Sequence, residues 1–168
     1  LTKLEYVALG LSVPEKCAKT CKESLNSQEK LQFRKEYRKM KELNPSDMSP
    51  PFARYAHGVE IPRDWRLVQT SGQLGIRADE SVPEGAYEQA IVCFQNIEKI
   101  LRSAGMGAGD VAHIKAFVTD RSHMAGYMRA RDEFIASTSR VPSSTLLIVS
   151  GFTRPEFKVE VEVLAAAP

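Results

Sequence analysis

The sequence has no apolar run approaching the roughly 20 residues that a helix needs to cross a bilayer, so no membrane anchor is expected. It begins without the basic-then-apolar pattern of a secretory leader, and a cytoplasmic protein is the expectation. Cysteine is scarce: Cys17, Cys21 and Cys93 are an odd number with no framework spacing, which suits a reducing compartment. Cys17-x-x-x-Cys21 offers half a metal site at most, because no other Cys or His stands near it and structural zinc takes four ligands. No metal and no cofactor are therefore expected. A surplus of one charge sign is also missing. Lys and Arg number 23 against 21 Asp and Glu, and a net charge of +2 gives no field for nucleic acid. His57, His113 and His123 are scattered, without the spacing of a Ser-His-Asp triad, although His57 and His113 lie on strand-like stretches and could meet in a cleft. The one glycine-rich stretch, Gly105-Met106-Gly107-Ala108-Gly109, follows a helical pattern instead of preceding one. It reads as a cap and turn, not a phosphate loop.

What is present fits one domain with an appendage in 168 residues. Residues 1–50 read as a helical extension and linker, and residues 51–168 as the domain. Leu4, Val7, Ala8 and Leu11 have helical spacing up to Pro14. Asn26-Ser27-Gln28-Glu29 resembles a capping box opening a helix through Leu43, with Phe33, Tyr37 and Met40 on one stripe. The first 43 residues hold ten Lys/Arg against six Asp/Glu, a solvated helix with a narrow apolar stripe. Asn44 to Pro51 has linker composition.

From Phe52 the pattern alternates to Ile61, turns at Pro62-Arg63-Asp64 and returns as a second strand from Trp65 to Thr70. Ala90, Phe94, Ile97, Leu101 and Ala104 then advance in steps of four, three, four and three, a helix stripe ending where Gly105 can cap it. Asp110 to Thr119 is a third strand, and Asp120 caps a second helix through about Ser137, with Met124, Tyr127, Met128, Arg131 and Phe134 clustered. Two β-rich runs close the chain. Leu146-Leu147-Ile148-Val149 is apolar throughout, so both its faces should be covered. Residues 158–164 alternate, Val159, Val161 and Val163 on one face and Lys158, Glu160 and Glu162 on the other. Joined by the Ser150 to Pro155 turn, the two runs read as neighbouring antiparallel strands. The order ββαβαββ predicts an α+β fold, a mixed sheet with two helices on one face and a second subunit over the other. Glu160 and Glu162 are the acid/base candidates, roughly 6 to 7 Å apart by strand rise. Arg54, Arg131 and Arg154 are candidate anion anchors.

Tyr55, Ser71-Gly72-Gln73-Leu74, Ala104-Gly105, Asp110-Val111, Phe117-Val118-Thr119-Asp120 and Val159-Glu160-Val161-Glu162 follow one another along the chain. Taken in that order they resemble the Rid family, the YjgF-like reactive intermediate deaminases. The resemblance spans about residues 51–166. It implies a chorismate-mutase-like subunit in a homotrimer, with small-molecule sites in the clefts between subunits, while the weak net charge and the lack of a spanning run lead to the expectation of no nucleic-acid and no membrane partner. It implies a site containing Glu160 as the catalytic carboxylate, with Tyr55, Ser71, Gly72, Ser143, Thr145 and Met128 around the substrate. In deaminating members an arginine pairs with the carboxylate of a 2-imino or 2-enamino acid, water attacks the imine carbon and ammonia leaves. Here the motif Pro142-Ser143-Ser144-Thr145 puts Ser143 in the arginine's place, and Met128 stands for an asparagine. Losing such a charge-assisted pair weakens binding of a small carboxylate by about two to four orders of magnitude. The resemblance thus implies hydrolysis of a small imine or related reactive metabolite other than 2-aminoacrylate, with Arg54 or Arg154 as substitute anchors. The alternative is a non-catalytic trimer that binds a small molecule or protects a partner.

Overall fold

The computed structural model describes residues 39–168, of which Met40–Pro168 form one compact unit. The Leu4 to Leu11 stripe, Cys17-x-x-x-Cys21 and the Asn26-Ser27-Gln28-Glu29 box lie outside the described residues. The helix expected to run through Leu43 does not do so. Lys41–Leu43 is a strand, β1, paired antiparallel with β2, Gly58–Glu60. Cross-strand pairing decides the conformation of so short a segment, whatever its apolar period suggests.

The main sheet is built from β3 (Arg66–Gln69), β4 (Gln73–Leu74), β5 (Val111–Val118), β6 (Ser143–Ile148) and β7 (Val159–Ala167). Its order is β3-β7-β5-β6, with β4 pairing β7 beside β3. Two expected pairings are corrected. β2 and β3 do not form a hairpin, because β1 takes β2 and β7 takes β3. β6 and β7 are not neighbours either. β5 lies between them, parallel to β6 and antiparallel to β7. The connection of residues 149–158 is long enough to step over one strand, and β5, apolar toward the helices, is the better partner for both.

Two helices, α1 (Ala86–Ser103) and α2 (Met124–Phe134), cover one face. The expected stripe on α1 is buried: Ala90, Ile97 and Leu101 are fully inside, with Phe94 close to it. Ile97, Leu101 and Phe94 each contribute about 1.5–3 kcal/mol by leaving water. Gly105 terminates α1 at φ 71°, and the Met106 N–H reaches back to the Leu101 carbonyl at 2.9 Å. That is the left-handed glycine cap its position predicted. Asp120 accepts from the Ser122 N–H at 2.8 Å, capping a short 3₁₀ turn that leads into α2. Phe94 stacks on Phe134 at 4.6 Å between centroids, which ties α1 to α2. On β7, Val159, Val161 and Val163 face the helices and are buried, while Glu160 and Glu162 lie on the far face and are only half-buried. β6 departs from expectation: Leu147 and Ile148 are 44% and 46% exposed, so within one chain this apolar strand is an uncovered edge.

Arg54 Nη2 donates to the Ile135 carbonyl at 3.0 Å, at the C-terminal end of α2. The cation both satisfies an orphan carbonyl and meets the negative end of the helix dipole. Arg54→Ala should therefore lower stability by about 1 kcal/mol, read as a thermal midpoint a few degrees down. An unchanged midpoint would remove this capping role.

Candidate active site

The far face of the sheet is assembled by register. Glu160 on β7 stands opposite Phe117 on β5, and Glu162 opposite Lys115. His113, Lys115 and Phe117 in turn pair with Ser143, Thr145 and Leu147 on β6. Paired residues share a face, so one surface carries Glu160, Glu162, Lys115, His113, Ser143 and Thr145. Lys115 Nζ lies 3.3 Å from Glu162 Oε1, so these two charges neutralise each other.

Glu160 has neither an ion pair nor a hydrogen bond among the described residues. Its carboxyl rests against Gly72, in the loop between β3 and β4: a Cβ placed on Gly72 would lie 1.7 Å from Glu160 Oε1 and 2.6 Å from Cδ. Desolvation first, and then the charge of Glu162, push its pKa above the ordinary carboxylate value of 4.5. The glycine leaves room for the acid, and the burial makes the acid hold its proton more tightly. Gly72→Ala should thus swing the flexible carboxylate aside and cost about a hundredfold in turnover, as an ångström of misplacement does. Stability should barely change, because the displaced group is a side-chain end. Turnover equal to wild type would show that the carboxylate position is immaterial.

At the opposite end of this face, Ser143 Oγ and His113 Nδ1 are 2.8 Å apart, and Ser143 Oγ is 3.2 Å from the Ala112 carbonyl. Burial first, and then Lys115, lower the His113 pKa below 6.5, against weaker opposite pulls from Glu162 and Ser143. The motif Pro142-Ser143-Ser144-Thr145 brings no guanidinium at any of its positions.

The remaining candidates fall elsewhere. Tyr55 packs edge-on between Phe52 and His57, at 5.6 and 5.9 Å between ring centroids. The adjoining Ala56 bridges to Ser143, which puts this segment beside the N-terminal end of β6. Ser71 is exposed next to Gly72, and its carbonyl accepts from Gln73 Nε2. Met128 packs against the core on the helix side, so it does not share the Glu160 face within one chain. Neither proposed substitute anchor is free. Arg54 caps α2, and Arg154 is ion-paired to Glu156 with its guanidinium 4.9 Å from the Phe157 ring centroid. Arg131 is buried on α2 and donates to Asp132 Oδ1. His57 bonds the Ser49 carbonyl and His123 the Thr119 hydroxyl, so His57 and His113 do not pair with each other. Sequence reasoning passed over the His113–Ser143 pair, since 30 residues separate partners that only the parallel β5–β6 register brings together.

The profile of the family described as Endoribonuclease L-PSP matches residues 46–167. The chain belongs to this family, the YjgF/Rid family. The TdcF protein of Escherichia coli strain K12, named as a reactive intermediate deaminase, is 25% identical over 113 residues, which are 66% of this chain and 84% of TdcF. Two solved structures share the fold of this Rid chain. The Rid protein YyfB from Yersinia pestis has a TM-score of 0.66 at 23% identity, covering 75% of this chain and 97% of YyfB. E. coli TdcF with bound serine has a TM-score of 0.58 at 24% identity, covering 74% and 94%. The α+β subunit is thus that of the YjgF-like proteins.

Proposed function

We propose that this Rid protein hydrolyses the C=N bond of a small imine, with Glu160 as the proton-transfer group, in clefts between the subunits of a homotrimer. The carrying observation is the Glu160 carboxyl, set against Gly72 with no protein partner among the described residues and with a raised pKa. Such a group takes a proton from the attacking water as the C–O bond forms. It passes that proton to the imine nitrogen, giving the carbinolamine, and then relays the carbinolamine hydroxyl proton to the same nitrogen, so that C=O forms as the C–N bond breaks and ammonia leaves. The relative named as a reactive intermediate deaminase, and its structure with bound serine, support a small nitrogen compound as substrate.

Strand register supports the intersubunit placement. His113 pairs with Leu164, four residues along β7 from Glu160. The two ends of the far face are thus separated by roughly 13 Å of strand, too far for one small substrate to touch both within a chain. Two copies sharing an edge can bring them together, and the exposed Leu67 and Leu147 on this face and Ile148 at its edge supply apolar surface for that contact.

The test is the decay of imines made in situ by an amine oxidase or an amino-acid oxidase, with ammonia release followed in parallel. Acceleration by the protein that disappears in Glu160→Ala supports the reading, and identical rates with and without protein would refute it. A second reading, a trimer that binds a metabolite without turning it over, is favoured by the engaged state of Arg54 and Arg154. Ligand-induced thermal shifts that persist in Glu160→Ala, with no imine decay, would select it.

A further inference from the structure

We propose that the His113–Ser143 pair determines specificity, and that it selects an uncharged carbonyl or imine compound, such as an amide, over the corresponding carboxylate. This deepens the reading of the far face as a ligand cleft and rests on it. The pair is built into the sheet. His113 and Ser143 are register partners on β5 and β6, with Nδ1 and Oγ 2.8 Å apart. Regular alternation puts the ring on the face of Lys115 and Phe117, and the bulge just before it, one extra residue between Val111 (paired with Ala165) and His113 (paired with Leu164), returns Val111 to the core under the helices.

The hydroxyl and the neutral imidazole offer donors and acceptors without net charge. Burial keeps the imidazole neutral near pH 7. A carboxylate brought here would lose water without gaining a counter-ion. Among the described residues no cation bonds the pair: Lys115 pairs with Glu162, Arg54 donates to the Ile135 carbonyl, and Arg140 donates through Nη2 to the Gly109 and Val111 carbonyls, its buried Nη1 making no hydrogen bond. A primary amide or neutral imine, by contrast, presents an N–H and a lone pair that match the pair's polarity.

Calorimetric titration of the full chain with 2-oxobutanamide and 2-oxobutanoate at pH 7.5 reads this directly. The amide should bind at least tenfold more tightly than the acid. Ser143→Ala and His113→Ala should each bring the ratio toward one, Ser143→Thr should keep it, and Ser143→Arg should reverse it in favour of the acid. The threonine variant, which retains the hydroxyl, separates loss of recognition from loss of fold. Acid bound as tightly as amide by the wild type, a ratio unmoved by Ser143→Ala, or binding of neither compound would each overturn the proposal. Because the readout is binding, an amide preference without imine turnover would fail only the catalytic reading. Turnover of acidic imines with no amide preference would fail only this one.

Discussion

Replacing Glu160 by glutamine is expected to slow imine hydrolysis by roughly a thousandfold, the usual worth of a positioned proton-transfer group. Glutamine has the same shape and can rest against Gly72 as the acid does, so the loss would be chemical and not steric. The same variant should hold its fold as well as the wild type or better at pH 7. Burial and the Glu162 charge raise the Glu160 pKa above 4.5 in the folded state. The native carboxyl therefore keeps its proton to higher pH than the unfolded one. Any stability it lends is present below the unfolded value near 4.5 and is lost as pH rises through the folded value. Thermal midpoints of Glu160→Gln and wild type should converge toward pH 4 and separate in the variant's favour near neutrality. A glutamine variant with wild-type turnover would dispose of Glu160 as the proton carrier, whatever its stability.

Gln89→Leu is the second large effect, this time on the fold. Gln89 is fully buried on α1. Its amide nitrogen donates to the Pro83 carbonyl at 2.8 Å and the Glu156 carbonyl at 2.9 Å, and its oxygen accepts from the Lys158 N–H at 2.8 Å. One side chain thus fastens the loop before α1 and the loop before β7 to the same helix turn. Leucine fills a similar volume but strands these three backbone groups. At about 1–3 kcal/mol for each group left without water or partner, and with the loops open to some solvent, the cost comes to about 3–5 kcal/mol, or roughly 10 °C in thermal midpoint. The Lys158 bond also fixes the chain two residues before Glu160, so turnover should fall even where the variant stays folded. A midpoint within a degree or two of wild type would show that the loops are held by other means.

The legible parts of this fold were those whose signal is local. The alternation of Val159, Val161 and Val163 with Glu160 and Glu162 needed only a period of two, and the structure buries the valines and leaves the two glutamates half-buried on the other face. The α1 stripe and the Gly105 cap likewise depend on neighbours a turn away. Gln89 was missed although it had a signal: it lies four residues before Cys93 and eight before Ile97, both fully buried, on the inner stripe. A polar residue there was read past because its partners, Pro83, Glu156 and Lys158, are set by tertiary closure. The strand order was hidden for the same reason. Nothing in the turn of residues 149–158 says that β5 will slip between β6 and β7, and without that order Ser143 cannot be paired with His113. The candidate arginines failed differently. Arg54 and Arg154 sit where spacing put them, but a helix end and Glu156 hold them in place.

β7 comes after every strand it binds, pairing with β3, β4 and β5. During synthesis the helices and the earlier strands must therefore wait, with their apolar sides bare, until this segment has emerged to zip them into one layer. Closure of such sequence-distant pairings is slow, and an interrupted chain lacking residues 159–167 would be a target for chaperones and proteases instead of a smaller stable protein.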